Sequence, residues 1–373
     1  MSIIASQKEE DIMGGKSALL ALHKALREIR GNIPKPTFNI KKAASSDIRI
    51  GYIGGKPKKR LVVTLRSSGC SWVESHGGCT MCGHYAGTTR GEKITEADYL
   101  VQFKREIAKY DFADVPILCL YNAGSVLNSD EISSETLSGI LQEVSKIDAI
   151  KKVVFETRSE FVTEDVIANI KSNLAQDDFE IAIGLESSNE DVREFCLNKG
   201  LDIADFTRAV KLVKEHAKLR LYLMIKPIFL TEAEGIEDAV RSFNDSLIYS
   251  PDEVHFEPAT IQEHTLAYDM YQKGTYRAPW LWSIIEVLKR IGGEKRAYVS
   301  PFMHMPSPLI VPHNCEKCTE KLTQMILEDY NRNFDLTIFD GVTCECRVEY
   351  EKELNYVDPR PLSERVSDYL AGC

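Results

Sequence analysis

Residues Leu61–Thr88 read LVVTLRSSGCSWVESHGGCTMCGHYAGT. The opening run, Leu61–Leu65, is apolar and rich in β-branched residues, and it predicts a buried strand. Beyond it, Cys70, Cys79 and Cys82 follow a C-x8-C-x2-C pattern, on the loop that leaves the strand's carboxyl end. A cubane iron–sulfur cluster held wholly by protein takes four thiolates, so three would leave one iron open for chemistry. A structural zinc knuckle competes with that reading, because C-x2-C is also half of a zinc site. His76 and His84 would then be the nearby extra ligands, although neither has the usual paired spacing. Met81 suits packing against an adenine ring or ordinary packing within the loop.

Outward from this stretch, strand and helix patterns alternate. Strands are predicted at residues 61–66, 116–121, 152–157, 179–185, 220–225 and 252–256, with amphipathic segments between them, for example 96–109, 134–145, 202–216 and 236–246. Six such units predict an α/β fold, a parallel sheet curled into a full or partial barrel. A helix over Lys16–Arg30, stopped near Gly31 and Pro34, precedes it. After Val299 the prolines at 301, 306, 308 and 312 break regular structure and a second cysteine group follows. The expected organisation is an N-terminal helix and basic lead-in over 1–59, a barrel over 60–300 and a small cysteine-rich domain over 301–373. The basic lead-in, Lys41 to Arg60, reads as a solvated loop or as a local nucleic-acid contact.

The chain has 373 residues, 43% of them hydrophobic, which is enough for a large core. No apolar run is long enough to cross a bilayer and no signal peptide is evident, so a soluble cytoplasmic protein is expected, with no membrane partner. Ten cysteines in such a chain argue for metal ligation over disulfides. The net charge of -10 excludes a protein that grips nucleic acid by bulk electrostatics.

Polar residues recur where the predicted strands stop. The second is followed by Asn122, Ala123, Gly124 and Ser125, whose small side chains let backbone approach a ligand. The third ends at Glu156 and Arg158, the fourth at Glu186, the fifth at Lys226. Each alone is explained by a turn or an ion pair, but their convergence on the cysteine loop points to one shared site. His255 and Glu257, at the end of the sixth strand, are candidate catalytic groups facing a substrate. Near the C-terminus Cys315, Cys318, Cys344 and Cys346 supply four thiolates, suited to a closed tetrahedral zinc site or to a second cluster. His313 is an alternative ligand.

These motifs resemble the radical S-adenosylmethionine superfamily. The eight-residue gap between Cys70 and Cys79 departs from its usual spacing but resembles the tRNA-directed branch that includes the Elongator catalytic subunit. The resemblance implies a [4Fe–4S] cluster on Cys70, Cys79 and Cys82 and S-adenosylmethionine bound beside it. By position, Asn122–Ser125 would receive the methionine ammonium. Glu156, Arg158 and Glu186 would hold the ribose and carboxylate, and Lys199 would meet the methionine carboxylate. Taken with ETRSE, GLESSNEDVRE, MIKPIFLTE and the pairs CEKC and CEC, the chain looks most like the archaeal radical lyase family that completes archaeosine in tRNA. That likeness implies a modified tRNA as substrate, a lysine-adding archaeosine synthase partner subunit and an electron donor. The reaction it implies is cleavage of a carbon–nitrogen bond in a lysine-adducted deazaguanine. Two other readings stand beside it: a different radical S-adenosylmethionine enzyme acting on tRNA, and a non-catalytic scaffold in which both cysteine groups are structural.

Overall fold

The computed structural model describes residues 2–34 and 37–372, with side chains from residue 14 onward. Its centre is an eight-stranded sheet in the sequential order β1 to β8. These strands are β1 Ser45–Ile53, β2 Lys56–Thr64, β3 Ile117–Tyr121, β4 Lys152–Thr157, β5 Phe179–Glu186, β6 Lys218–Ile225, β7 Glu253–Pro258 and β8 Ala297–Val299. From β2 to β8 every neighbouring pair is parallel. Helices lie between successive strands, as parallel crossovers require. The expected curled α/β sheet is present, and all six predicted strands are found as β2–β7.

Two strands were not foreseen. The basic lead-in is not a loop: Ser45–Ile53 turns at Gly54 and Gly55 and pairs antiparallel with β2. Strand β2 therefore runs across residues 59 and 60, where the sequence suggested a boundary. The three-residue β8 was too short to register a period.

Period-two alternation sorts the side chains into two layers. Outward-facing Leu61, Val63, Leu118, Leu120, Val153, Phe155, Ile181, Ile183, Leu219, Leu221 and Val254 are buried in one continuous core with the surrounding helices. Inward, Val62, Ile117, Cys119, Val154, Ala182 and Tyr222 form a small plug. Below the plug, four charged residues from four strands lock together. Lys152 lies 2.7 Å from Glu180 and 3.2 Å from Glu253, and Arg220 lies 2.6 and 2.8 Å from the same two carboxylates. Buried charges are tolerable when mutually satisfied in this way, and removing one partner would strand the rest.

The sheet does not close by backbone pairing between β1 and β8. Side chains bridge the seam: the Tyr52 and Tyr298 rings are 4.3 Å apart. The Asn331 amide accepts from Val299 N at 2.9 Å and donates to Val299 O at 2.8 Å, capping the free edge of β8. Asn331 belongs to the C-terminal segment, whose Leu322, Ile326, Tyr330, Phe339 and Tyr350 join the core around the sheet. That segment is packed against the barrel and shares its core. No helix among the described residues is long and apolar enough to cross a membrane.

Candidate active site and metal centre

The carboxyl ends of the strands open into one cavity of about 260 Å³. Cys70, Met81, Cys79 and Cys82 line it from the loop after β2. Asn122, Ala123 and Gly124 line it after β3, Glu156 and Arg158 from β4, and Glu186 and Lys199 from β5 and the following turn. His255 and Glu257 of β7 complete the set. Ser125 lies behind the lining, fully buried. Lys226 turns away from the cavity and pairs with Glu232.

The cysteine loop is held by residues distant from it in the chain. Arg30 of the N-terminal helix Ser2–Gly31 is buried against it. Its guanidinium donates to Cys79 O at 3.0 Å, Cys82 O at 2.6 Å and His264 O at 2.6 Å. Asn198 donates to Gly78 O at 2.8 Å, and Trp72 Nε1 donates to Asn198 O at 2.7 Å. Gln262 accepts from Gly83 N at 2.9 Å. These anchors are carbonyls and amides far apart in the chain, which no local pattern reports. His76, a candidate zinc ligand, stacks on Trp72 at 4.0 Å and bonds Ser75. Burial pushes the Cys70 thiol up to about 12 and the Cys82 thiol up to about 11. Free thiolates are disfavoured there, and a cationic centre would relieve that penalty.

Glu131 was also missed. Its buried carboxylate accepts from Ser125 N at 2.8 Å, Asn122 Nδ2 at 3.0 Å, Asn128 Nδ2 at 3.1 Å and Ser71 N at 3.3 Å. It thereby ties the Asn122–Ser125 turn to the cysteine loop. A Cβ on Gly124 would stand 2.0 Å from Glu131 Oε2. Gly124→Ala must displace a carboxylate fixed by four bonds. It is expected to destabilise by about 1–3 kcal/mol, read as a lower urea midpoint at unchanged m-value.

Two basic groups of the lining, Lys199 and Arg158, are already paired. Glu186, with φ +64°, turns back to Lys199 at 2.9 Å. Gly184 makes room for that pair, since a Cβ there would lie 2.1 Å from Glu186 Oε1. Arg158 is already engaged: it donates to Lys199 O at 2.9 Å and Gly200 O at 3.2 Å, pairs with Glu160 and lies over Trp72. It positions the turn that carries Lys199. Burial, with repulsion from Glu186, pushes the Glu156 carboxyl up to about 7. Burial pushes Glu257 up to about 8, against a hydrogen bond from Ser300. His255 lies 3.0 Å from Glu253, in the charged network of the floor, and burial pushes it down to about 3. It is a neutral ring held from below.

Near the C-terminus, Cys315, Cys318, Cys344 and Cys346 bring their sulfurs within 4.8 Å of one another, the one group of this kind among the described residues. The separations are 3.7 Å for Cys315–Cys318, 3.4 Å for Cys315–Cys344 and 3.7 Å for Cys318–Cys346. His313 instead bonds Val311 O at 2.8 Å through Nδ1. Cys373 lies outside the described residues.

No family model matches the chain. The archaeosine synthase subunit beta of Methanosarcina acetivorans is 33% identical over 351 residues, covering 91% of this chain and 97% of that protein. The protein of the same name from Thermococcus kodakarensis is 31% identical over 305 residues, covering 80% and 93%. Among solved structures, an N-terminally truncated Elp3 of Methanocaldococcus infernus superposes with a TM-score of 0.48 at 18% identity, over 66% of this chain and 60% of that one. Methylornithine synthase superposes with a TM-score of 0.46 at 13% identity, over 76% and 73%.

Proposed function

The chain belongs to the archaeosine synthase subunit beta family, and from that premise we propose that it is a radical S-adenosylmethionine lyase of tRNA modification. In this reading it cleaves a carbon–nitrogen bond of a lysine-adducted deazaguanine to leave archaeosine. The observation that carries the reading is that the family likeness spans nearly the whole chain while the three loop cysteines and the strand-end residues share one cavity.

The residues fit the cofactors. Three half-buried thiols on one loop suit a cluster with one open iron, and small residues at 122–125 suit close approach of the methionine ammonium. Glu186 and Lys199, now paired with each other, offer one partner each to a zwitterion's ammonium and carboxylate. Glu156, on the same wall, suits a ribose contact. When bound, the cluster and S-adenosylmethionine supply one-electron, hydrogen-abstracting chemistry. The protein's share is to orient the reactants and exclude water, which the plugged floor favours. Glu257, protonated near neutral pH, is the candidate proton donor; His255 supports the floor.

For the C-terminal group we infer a single tetrahedral ion, zinc by its ligand set. Zn–S bonds of about 2.3 Å place sulfurs about 3.8 Å apart around a tetrahedron, near the spacings found. A cubane would spread its thiolates wider. The subunit name of the relatives and the net charge of -10 support a partner that supplies much of the tRNA contact.

Anaerobic protein given reductant, S-adenosylmethionine and lysine-adducted tRNA is expected to form archaeosine and 5′-deoxyadenosine together, read by mass spectrometry of nucleosides. Reductive cleavage without archaeosine would overturn the substrate; no cleavage by cluster-loaded protein would overturn the radical reading.

A further inference from the structure

Among the described residues, Arg60 is the one lysine or arginine of the cavity wall for which the fold provides no counter-charge. It is 4% exposed and lines the cavity from β2. Its Nε and Nη1 are buried without a hydrogen-bond partner among the described residues. The other cavity cations are paired: Arg49, opposite Arg60 in the β1–β2 register, with Asp47 at 2.5 Å, Lys199 with Glu186, and Arg158 with Glu160. The floor carboxylates, Glu180 and Glu253, already face Lys152 and Arg220. A buried guanidinium left unpaired is costly. The fold nevertheless makes room for it, since a Cβ on Gly51 would stand 2.9 Å from Arg60 Cδ. An anion entering the cavity would complete it.

The surroundings select the class of anion. Acidic Glu156 and Glu186 share the lining, so a dianionic phosphate would meet repulsion. A carboxylate on a group that also carries a cation would not. We propose that Arg60 forms a subsite for the carboxylate of an amino-acid group borne by the substrate, and is a specificity-determining residue. This rests on the lysine-adduct reading, because lysine brings that carboxylate to the reacting base.

The test compares binding of plain tRNA and of two adducted tRNAs to the cluster-loaded protein with S-adenosylmethionine. In one the deazaguanine carries lysine, and in the other 1,5-diaminopentane, which lacks only the carboxylate. Wild type is expected to prefer the lysine adduct by about 10- to 100-fold, the range of a charge-assisted contact. Arg60→Gln should bind both alike, and Arg60→Lys should keep part of the preference, with melting curves confirming that each variant folds. Equal weakening of both RNAs by Arg60→Gln would indicate a backbone phosphate and overturn the proposal, as would an unchanged preference. Wild type that separates adducted from plain tRNA but not lysine from diaminopentane leaves the substrate reading standing and overturns the subsite. Failure to separate adducted from plain tRNA overturns both.

Discussion

Cys82→Ala is expected to abolish 5′-deoxyadenosine formation and to strip the iron of the cavity loop, while the C-terminal metal stays bound. Loss of groups that merely support a metal ligand costs about 10–100-fold in metal affinity. Loss of one of only three ligands should exceed that. The loop itself should persist, because Arg30 grips the carbonyls of Cys79 and Cys82, and Gln262 grips Gly83 N; none of these bonds uses a thiol. The variant should therefore fold, melt near wild type before cluster loading, and fail only in iron content and in cleavage of S-adenosylmethionine. Retained iron with retained cleavage would show that the open-iron reading of the triad is wrong.

The same contrast explains what could be read from the sequence. β2–β7 were legible because each contains a short apolar run buried on both faces, and the candidate residues followed because chain direction fixes which strand ends share a rim. β1 was illegible for a physical reason. Its exposed positions Ile48 and Ile50 are apolar and its inward position Arg49 is charged, the reverse of an ordinary alternation. Arg30 escaped because it binds backbone carbonyls and needs no partner with a recognisable side chain; Glu131 escaped because half of its bonds are to backbone amides and none is to an opposite charge. Arg60 was seen only as part of a basic run. Its isolation among paired charges is a property of three dimensions.

The C-terminal cysteines carry the other large effect. Cys344→Ala should release the ion and unfold the surrounding segment, with a marked fall in melting temperature. Metal binding at structural thiolate sites is worth on the order of 10 kcal/mol near neutral pH, comparable to the total stability of a domain. Cys318 and Cys346 sit in one core with Leu322, Ile326, Tyr330, Phe339 and Tyr350, so the damage would not remain local. Tyr330 Oη donates to Ala297 O at 3.2 Å, Asn331 caps Val299, and Tyr52 Oη donates to Asn331 O at 2.9 Å. Without this segment the β8 edge loses its cap and the seam opens beside Tyr298, which packs 5.1 Å from the His255 ring. Hydrogen exchange should accordingly rise first over residues 315–350, then at Ala297–Val299, while amides of β3–β5 remain protected. Iron on the cavity loop should survive at moderate temperature. Unchanged zinc content together with unchanged melting would remove the structural ion from the account and leave the four thiols as an ordinary part of the core.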